Sequence, residues 1–194
     1  MKDKKIVIGI CGTLCSGKGV VAEILKSKGC DVTTLGAIVR ESLQSKGIET
    51  TRENQQNEGN RLRKEFGGQI LAQKAMERFN HSKAPLVIDG IRNMAEVEYL
   101  EKNTKFFLIG VDAPLEIRFG RSNRRNRDPH LGDYDIFRTE DARDQGLNEP
   151  ENGQQVGACM ERADFMITND EDFTKLEHSK LYKETEKIYG KIIK

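Results

Sequence analysis

Near the start of the chain, Gly12-Thr13-Leu14-Cys15-Ser16-Gly17-Lys18-Gly19 has the composition and spacing to hold phosphate. Its glycines let consecutive backbone N–H groups turn toward an anion, and Lys18 adds a full positive charge. The apolar run Ile6-Val7-Ile8-Gly9-Ile10 in front reads as a buried strand, and Val20 to Lys28 behind it as an amphipathic helix. A strand, a glycine-rich turn and a helix N-terminus make a phosphate-binding loop, with the helix dipole adding to the attraction. The expectation is a nucleoside triphosphate held by Gly12, Thr13, Cys15, Ser16, Gly17, Lys18, Gly19 and Val20. Such loops usually end Gly-Lys-Ser/Thr, whose hydroxyl ligates Mg²⁺, but here Gly19 stands in that place. A turn that binds nothing is the plainer alternative, and the combination of matched glycines with a lysine speaks against it.

A second group follows the apolar run Leu86-Val87-Ile88. Asp89 ends that run and Gly90-Ile91-Arg92 follows. A carboxylate at the carboxyl end of a strand beside the loop can hold Mg²⁺ through water, or can take a proton from an acceptor hydroxyl. Arg92 is placed to clamp a phosphate. The competing assignment makes Asp89 a cap for the helix that starts near Asn93. Further on come Arg118, Arg121, Arg124, Arg125 and Arg127, of which 118, 121 and 125 share a helix face. Charge developing on a moving phosphoryl group needs such cations, and Arg138 with Arg143 could supply a second pair. A solvated helix face and a basic patch for RNA are the alternatives, and the lack of interleaved aromatics weighs against single-strand binding. The histidines His81, His130 and His178 are scattered, with no metal spacing or triad.

These groups need a scaffold. Apolar runs at Ile6–Ile10, Asp31–Leu35, Pro85–Ile91, Lys105–Val111 and Asp164–Thr168 read as strands. Helical patterns separate them at Val20–Lys28, Ala37–Lys46, Arg52–Phe79, Asn93–Lys102, Pro114–Arg125 and around Phe173–Ile192, the last packing Leu181, Ile188 and Ile192 inward. Alternation of this kind predicts an α/β fold, a parallel sheet with helices on both faces and a binding crevice beyond the carboxyl ends of the strands. Two polar segments, Thr50–Asn80 and Asn126–Gly157, stand apart as covers for the crevice; surface decoration is the alternative for both. At 194 residues and net charge +1, one domain is expected, with no field pulling it toward nucleic acid or membrane. No stretch approaches the roughly 20 apolar residues of a membrane span, and Met1–Lys5 runs straight into the first strand without room for a signal peptide. Cys11, Cys15, Cys30 and Cys159 show neither metal spacing nor a disulfide framework, which fits a reducing, cytoplasmic setting. Cys15, beside a helix N-terminus, is the thiol to watch; a small filler residue is the alternative.

Gly17-Lys18-Gly19 and Asp89-Gly90-Ile91-Arg92 resemble the nucleoside monophosphate kinase group of P-loop kinases. Thr33-Thr34-Leu35-Gly36-Ala37-Ile38-Val39-Arg40 is similar to that group's acceptor-phosphate segment, which implies a grip on the acceptor for Arg40; the group's aspartate is replaced by Ala37. Gln155 and Ala163-Asp164-Phe165-Met166-Ile167-Thr168-Asn169 resemble dephospho-CoA kinases, which implies that Asn169 borders the adenine. Ile88–Asn93 and Val111–Pro114 are similar to runs in a group of archaeal-type kinases akin to both. The resemblance implies a P-loop NTPase fold with strand order 2-3-1-4-5. An acceptor-binding insertion would span about residues 37–80, and a mobile lid about 118–157. It also implies ATP and Mg²⁺ as cofactors, with Lys18, Asp89, Arg121 and Arg125 as catalytic residues and Asp89 as the metal organiser. Arg40 and Arg92 would hold a small nucleotide-like acceptor, either a nucleoside monophosphate or dephospho-CoA. A nucleotide-binding regulatory module without turnover is the rival, supported by the missing hydroxyl at position 19 and the missing acid at position 37.

Overall fold

The computed structural model describes residues 4–125, 128–171 and 176–194. Its centre is β1 (Ile6–Gly12), whose side chains alternate across the sheet as a strand's must. Val7 and Cys11 enter one apolar cluster, Ile8 and Ile10 the other. On either side lie β3 (Leu86–Asp89) and β4 (Lys105–Asp112), with β2 (Asp31–Thr34) and β5 (Phe165–Thr168) at the edges. The order is β2-β3-β1-β4-β5 and every pairing is parallel. The α/β fold and strand order expected from the sequence are therefore present.

Helices cover both faces. On one side α1 (Lys18–Ser27) and α9 (Lys180–Ile192) pack over Ile8, Ile10, Val87 and Ile109. Leu181, Ile188 and Ile192 point inward as their spacing demands; the expected helix start at Phe173 lies outside the described residues. On the other side α2 (Leu35–Ser45), α3 (Arg52–Phe66), α4 (Ile70–Arg78) and α5 (Met94–Asn103) enclose Val7, Leu86, Ile88 and Leu108. Local chemistry fixes where these helices start. The Thr34 hydroxyl accepts from Ala37 N at 2.9 Å, and the Thr51 hydroxyl from Asn54 N at 3.2 Å. Asn93 and Glu96 form a reciprocal capping box on α5, so Asp89 is released from the capping role that sequence left open.

Two expectations need correction. The stretch Arg52–Phe79 is two helices, because the chain turns at Gly67 (φ 97°), a conformation that side-chain-bearing residues avoid. Residues 126–157 are not a bare cover. Within the described part lie α7 (Tyr134–Gln145) and α8 (Val156–Glu161), which bury Phe137, Val156 and Cys159 after α6 (Leu115–Arg125). Few apolar residues suffice there because Leu131, Phe137 and Val156 are buried, although Leu147 stays exposed; Phe137 meets Phe119 edge-on with ring centroids 5.6 Å apart. Among the described residues no helix is long and apolar enough to cross a membrane.

Candidate functional site

The ends of β1 and β3 lie level, with Ile10 paired to Asp89, so the glycine-rich loop and the acidic turn share one edge of the sheet. The loop leaves β1 at Gly12 (φ 147°), where a Cβ would fall 2.0 Å from Val111 O; only glycine fits. Lys18 opens α1 and folds back, donating from Nζ to Gly12 O at 2.8 Å and Thr13 O at 2.6 Å. The Thr13 hydroxyl donates to Asp112 Oδ1 at 2.7 Å, which ties the loop to the end of β4. Cys15 takes a positive φ of 60° at the crest. The space beside Gly19 is open, so nothing steric excludes the usual hydroxyl there.

Asp89 has an Oδ1 that is buried with no hydrogen-bond partner among the described residues. Burial pushes this carboxyl above its ordinary range, against the pull of Lys18 and Arg92. Burial likewise lowers the Lys18 ammonium, and the negative charge of Asp89 offsets part of that. An orphaned carboxylate oxygen next to a phosphate loop suits a hydrated Mg²⁺, which takes one or two carboxylates together with substrate phosphate and water. Among the described residues no group of three or more His, Cys, Asp or Glu side chains forms a metal site by itself.

A cavity of about 530 Å³ opens beside these groups. Its wall includes Leu14 and Cys15 of the loop, Gly90 and Arg92 after β3, Arg125 of α6, and one face of α3. That face, Arg52, Gln55, Gln56, Gly59 and Arg63, follows helical spacing. Arg92 donates from Nη1 to Gln154 Oε1 at 2.7 Å. Arg63 is buried against Glu96, Nε at 3.0 Å and Nη2 at 2.9 Å from Oε1, while Glu96 Oε2 accepts the N–H groups of Arg92 and Asn93. This pair fixes the turn that carries Asp89 and Arg92. Arg52, Arg63 and Gln154 had escaped sequence reasoning. The signal available was the stripe 52-56-59-63 in a helix otherwise almost wholly polar.

The arginines of α6 have different surroundings. Arg125 is exposed on the cavity wall. Arg121 is buried and donates from Nη2 to Glu171 O at 3.0 Å, in the turn that follows β5. Arg118 makes a buried bidentate pair with Asp141, at 2.6 and 3.0 Å, and belongs to the framework. Asp141 also accepts from Leu14 N at 3.2 Å, so α7 holds the crest of the loop. Arg143, expected with Arg138 as a second pair, donates to Glu149 Oε1, Gln56 Oε1 and Asn57 Oδ1. Arg138 is exposed, and Arg127 lies outside the described residues. Arg40 is exposed and is not part of the cavity lining; its Nη1 donates to Oε1 of the lining residue Gln55 at 3.3 Å. Asn169 is buried under the loop and donates from Nδ2 to Ser16 O at 2.7 Å; the same amide fills the space a Cβ on Gly17 would need.

A family model described as an AAA domain matches residues 8–145. A UPF0200 protein of Methanocaldococcus jannaschii is 30% identical over 171 residues, covering 87% of this chain and 83% of the relative. The chain belongs to the UPF0200 family. Among solved structures, shikimate kinase from Bacteroides thetaiotaomicron overlays the UPF0200 chain with a TM-score of 0.58 at 12% identity, covering 97% of this chain and 98% of that one. The Mycobacterium tuberculosis APS kinase in complex with AMPPNP and APS does so with a TM-score of 0.56 at 16% identity, covering 99% of each. At such identities the likeness is one of fold. The UPF0200 chain has a P-loop kinase fold of the nucleotide-binding type.

Proposed function

We propose that the protein moves the γ-phosphoryl group of ATP, with Mg²⁺, onto a small acceptor seated in the cavity. The observation that carries this is a single cavity lined both by Leu14 and Cys15 of the loop and by Gly90 and Arg92 after β3. A donor on the loop and an acceptor in the cavity would meet at Asp89 and Lys18. Transfer of a phosphoryl group asks mainly for positioning and charge. The backbone of residues 12–19 would cradle the phosphates, with Lys18 exchanging its two carbonyl partners for phosphate oxygens. Mg²⁺, when bound, would neutralise phosphate charge, held through Asp89. Arg125 and Arg92 face the cavity and would accompany the charge in transit. Arg121 would steady the turn after β5, on the donor side; Asn169 would hold the shape of the loop from beneath. Arg40 would act from beside Gln55. Residues 37–80 and 118–157 would form the acceptor side and the lid.

The test is coupled ADP release from ATP and Mg²⁺ over a panel of phosphate and hydroxyl acceptors. Acceptor-dependent turnover that Lys18→Ala and Arg125→Ala abolish, with Arg125→Ala still binding nucleotide, supports the reading. Nucleotide binding without turnover across the panel would move the assignment to a regulatory module.

A further inference from the structure

The cavity is rich in arginine, yet its buried and half-buried arginines are already matched. Arg63 is committed to Glu96. Arg52 donates from Nε to Glu140 Oε2 at 3.1 Å and from Nη2 to Asp144 Oδ2 at 2.5 Å. Gln56 Nε2 donates to Asp144 Oδ1 at 3.0 Å, and Arg92 Nη1 stands 3.6 Å from the same oxygen. Arg52, Gln56 and Arg92 all line the cavity; Asp144 does not. It is 4% exposed and reaches them from behind on α7. The surrounding guanidinium groups hold its carboxyl below the ordinary range in spite of burial, so it is ionised at neutral pH.

Two guanidinium groups and an amide converging on one carboxylate is the arrangement that recognises a phosphate monoester. Here a side chain of the protein occupies it. Opening the Arg52 pair would leave a buried charge uncompensated, which is among the costlier changes a protein can suffer. Arg40 and Arg125, both water-exposed, are weak substitutes, because exposed ion pairs contribute little. What the buried wall still offers is a neutral donor. Gln154 is 1% exposed and lines the cavity; its Oε1 is held by Arg92, and its Nε2 has no hydrogen-bond partner among the described residues.

We propose that Asp144 fills from within the seat that an acceptor's own phosphate would need, so that the cavity takes a hydroxyl compound and turns phosphate monoesters away. Gln154 Nε2 then donates to an oxygen of that compound. This rests on the phosphotransfer reading. In the reaction the acceptor hydroxyl oxygen bonds to the γ-phosphorus, and the bond from that phosphorus to the β–γ bridging oxygen breaks. The electron pair stays on ADP and the hydroxyl proton leaves to water. Asp144 is a specificity-determining residue that acts through Arg52, Arg92 and Gln56.

The experiment uses the full chain with saturating MgADP, so that the loop is filled, and follows the thermal midpoint and binding heat as inorganic phosphate or AMP is added. Wild type is expected to be indifferent to both. Asp144→Asn should be destabilised without anion, be rescued by phosphate, and bind it at least about tenfold more tightly, the value of one charge-assisted hydrogen bond. Adding Arg52→Gln to Asp144→Asn removes both charges of that pair and should abolish the gain. Phosphate or AMP binding by wild type as tight as by Asp144→Asn overturns the proposal. So does the absence of any gain or rescue in Asp144→Asn. Failure of wild type to bind MgADP overturns the phosphotransfer reading instead, and is seen before any anion is added.

Discussion

Replacing Asp141 with alanine should cost the protein about 3–4 kcal/mol. The carboxylate accepts four hydrogen bonds, from Arg118 Nη1 at 2.6 Å and Nη2 at 3.0 Å, Gln145 Nε2 at 2.9 Å and Leu14 N at 3.2 Å. Both members of the ion pair are about one-twentieth exposed. Deleting one partner of a buried pair typically costs about 3–5 kcal/mol, mostly for the charge left behind. The upper end is softened here because Arg118 keeps Ala113 O at 2.8 Å and Leu14 O at 3.1 Å. For a chain of this length the loss corresponds to a fall of about 10 °C in the thermal midpoint. Urea unfolding followed by circular dichroism, with an unchanged m-value, is the assay. The pair Arg118→Met with Asp141→Leu removes both charges and should cost less than Asp141→Ala alone, by about 1 kcal/mol or more. A loss under about 1 kcal/mol for Asp141→Ala, or a double variant costing the sum of the singles, would refute a buried, charge-compensating role.

Three further outcomes follow from the same geometry. Glu58, held to about 2 by Arg61, Lys46 and Ser42, contributes stability that is present above its unfolded pKa and lost as pH falls through its folded one. Glu58→Gln should therefore flatten the acid limb of a stability profile between about pH 4.5 and 2, by about 2 kcal/mol after allowing for the exposure of Arg61 and Lys46. Asp89 has a raised pKa, so the ligand-free wild type loses stability as pH rises through it; Asp89→Asn should lack that loss and be the more stable at alkaline pH, while binding Mg²⁺-nucleotide less well. Thiol reagents should modify Cys15 first, with MgATP protecting, because Cys11, Cys30 and Cys159 are buried and burial raises their thiols, Cys11 to about 12. Mass mapping of the labelled chain checks this.

The glycine-rich loop was readable in the sequence for a plain reason. A loop that must bring backbone N–H groups around an anion tolerates glycine at few places, and Gly12 and Gly17 mark two of them. Asp89 was readable because it ends an apolar strand beside the loop, although a helix-capping role competed until Asn93 and Glu96 were seen to fill it. The α3 wall of the cavity was not. Arg52, Gln56 and Arg63 lie in a helix whose polarity looks like a solvated surface, and only partners more than thirty residues away, Glu96, Glu140 and Asp144, turn that stripe inward. The arginine cluster misled in the opposite direction. Helical spacing put Arg118 beside Arg121 and Arg125, yet Asp141 claims Arg118 for the framework. Periodicity tells which residues share a face and says nothing of the charges waiting opposite them.

Helix α7 carries its acidic residues in a particular order. Asp141 grips Leu14 at the crest of the nucleotide loop, and Glu140 and Asp144 grip Arg52 on the far wall. One rigid rod thus touches both ends of the site. Any ligand that shifts the rod at one end must change the affinity at the other, and thermodynamics requires the effect to be equal in both directions. Coupling between a ligand at the loop and one on the α3 wall is what that geometry would produce, and the change in affinity for one in the presence of the other measures it.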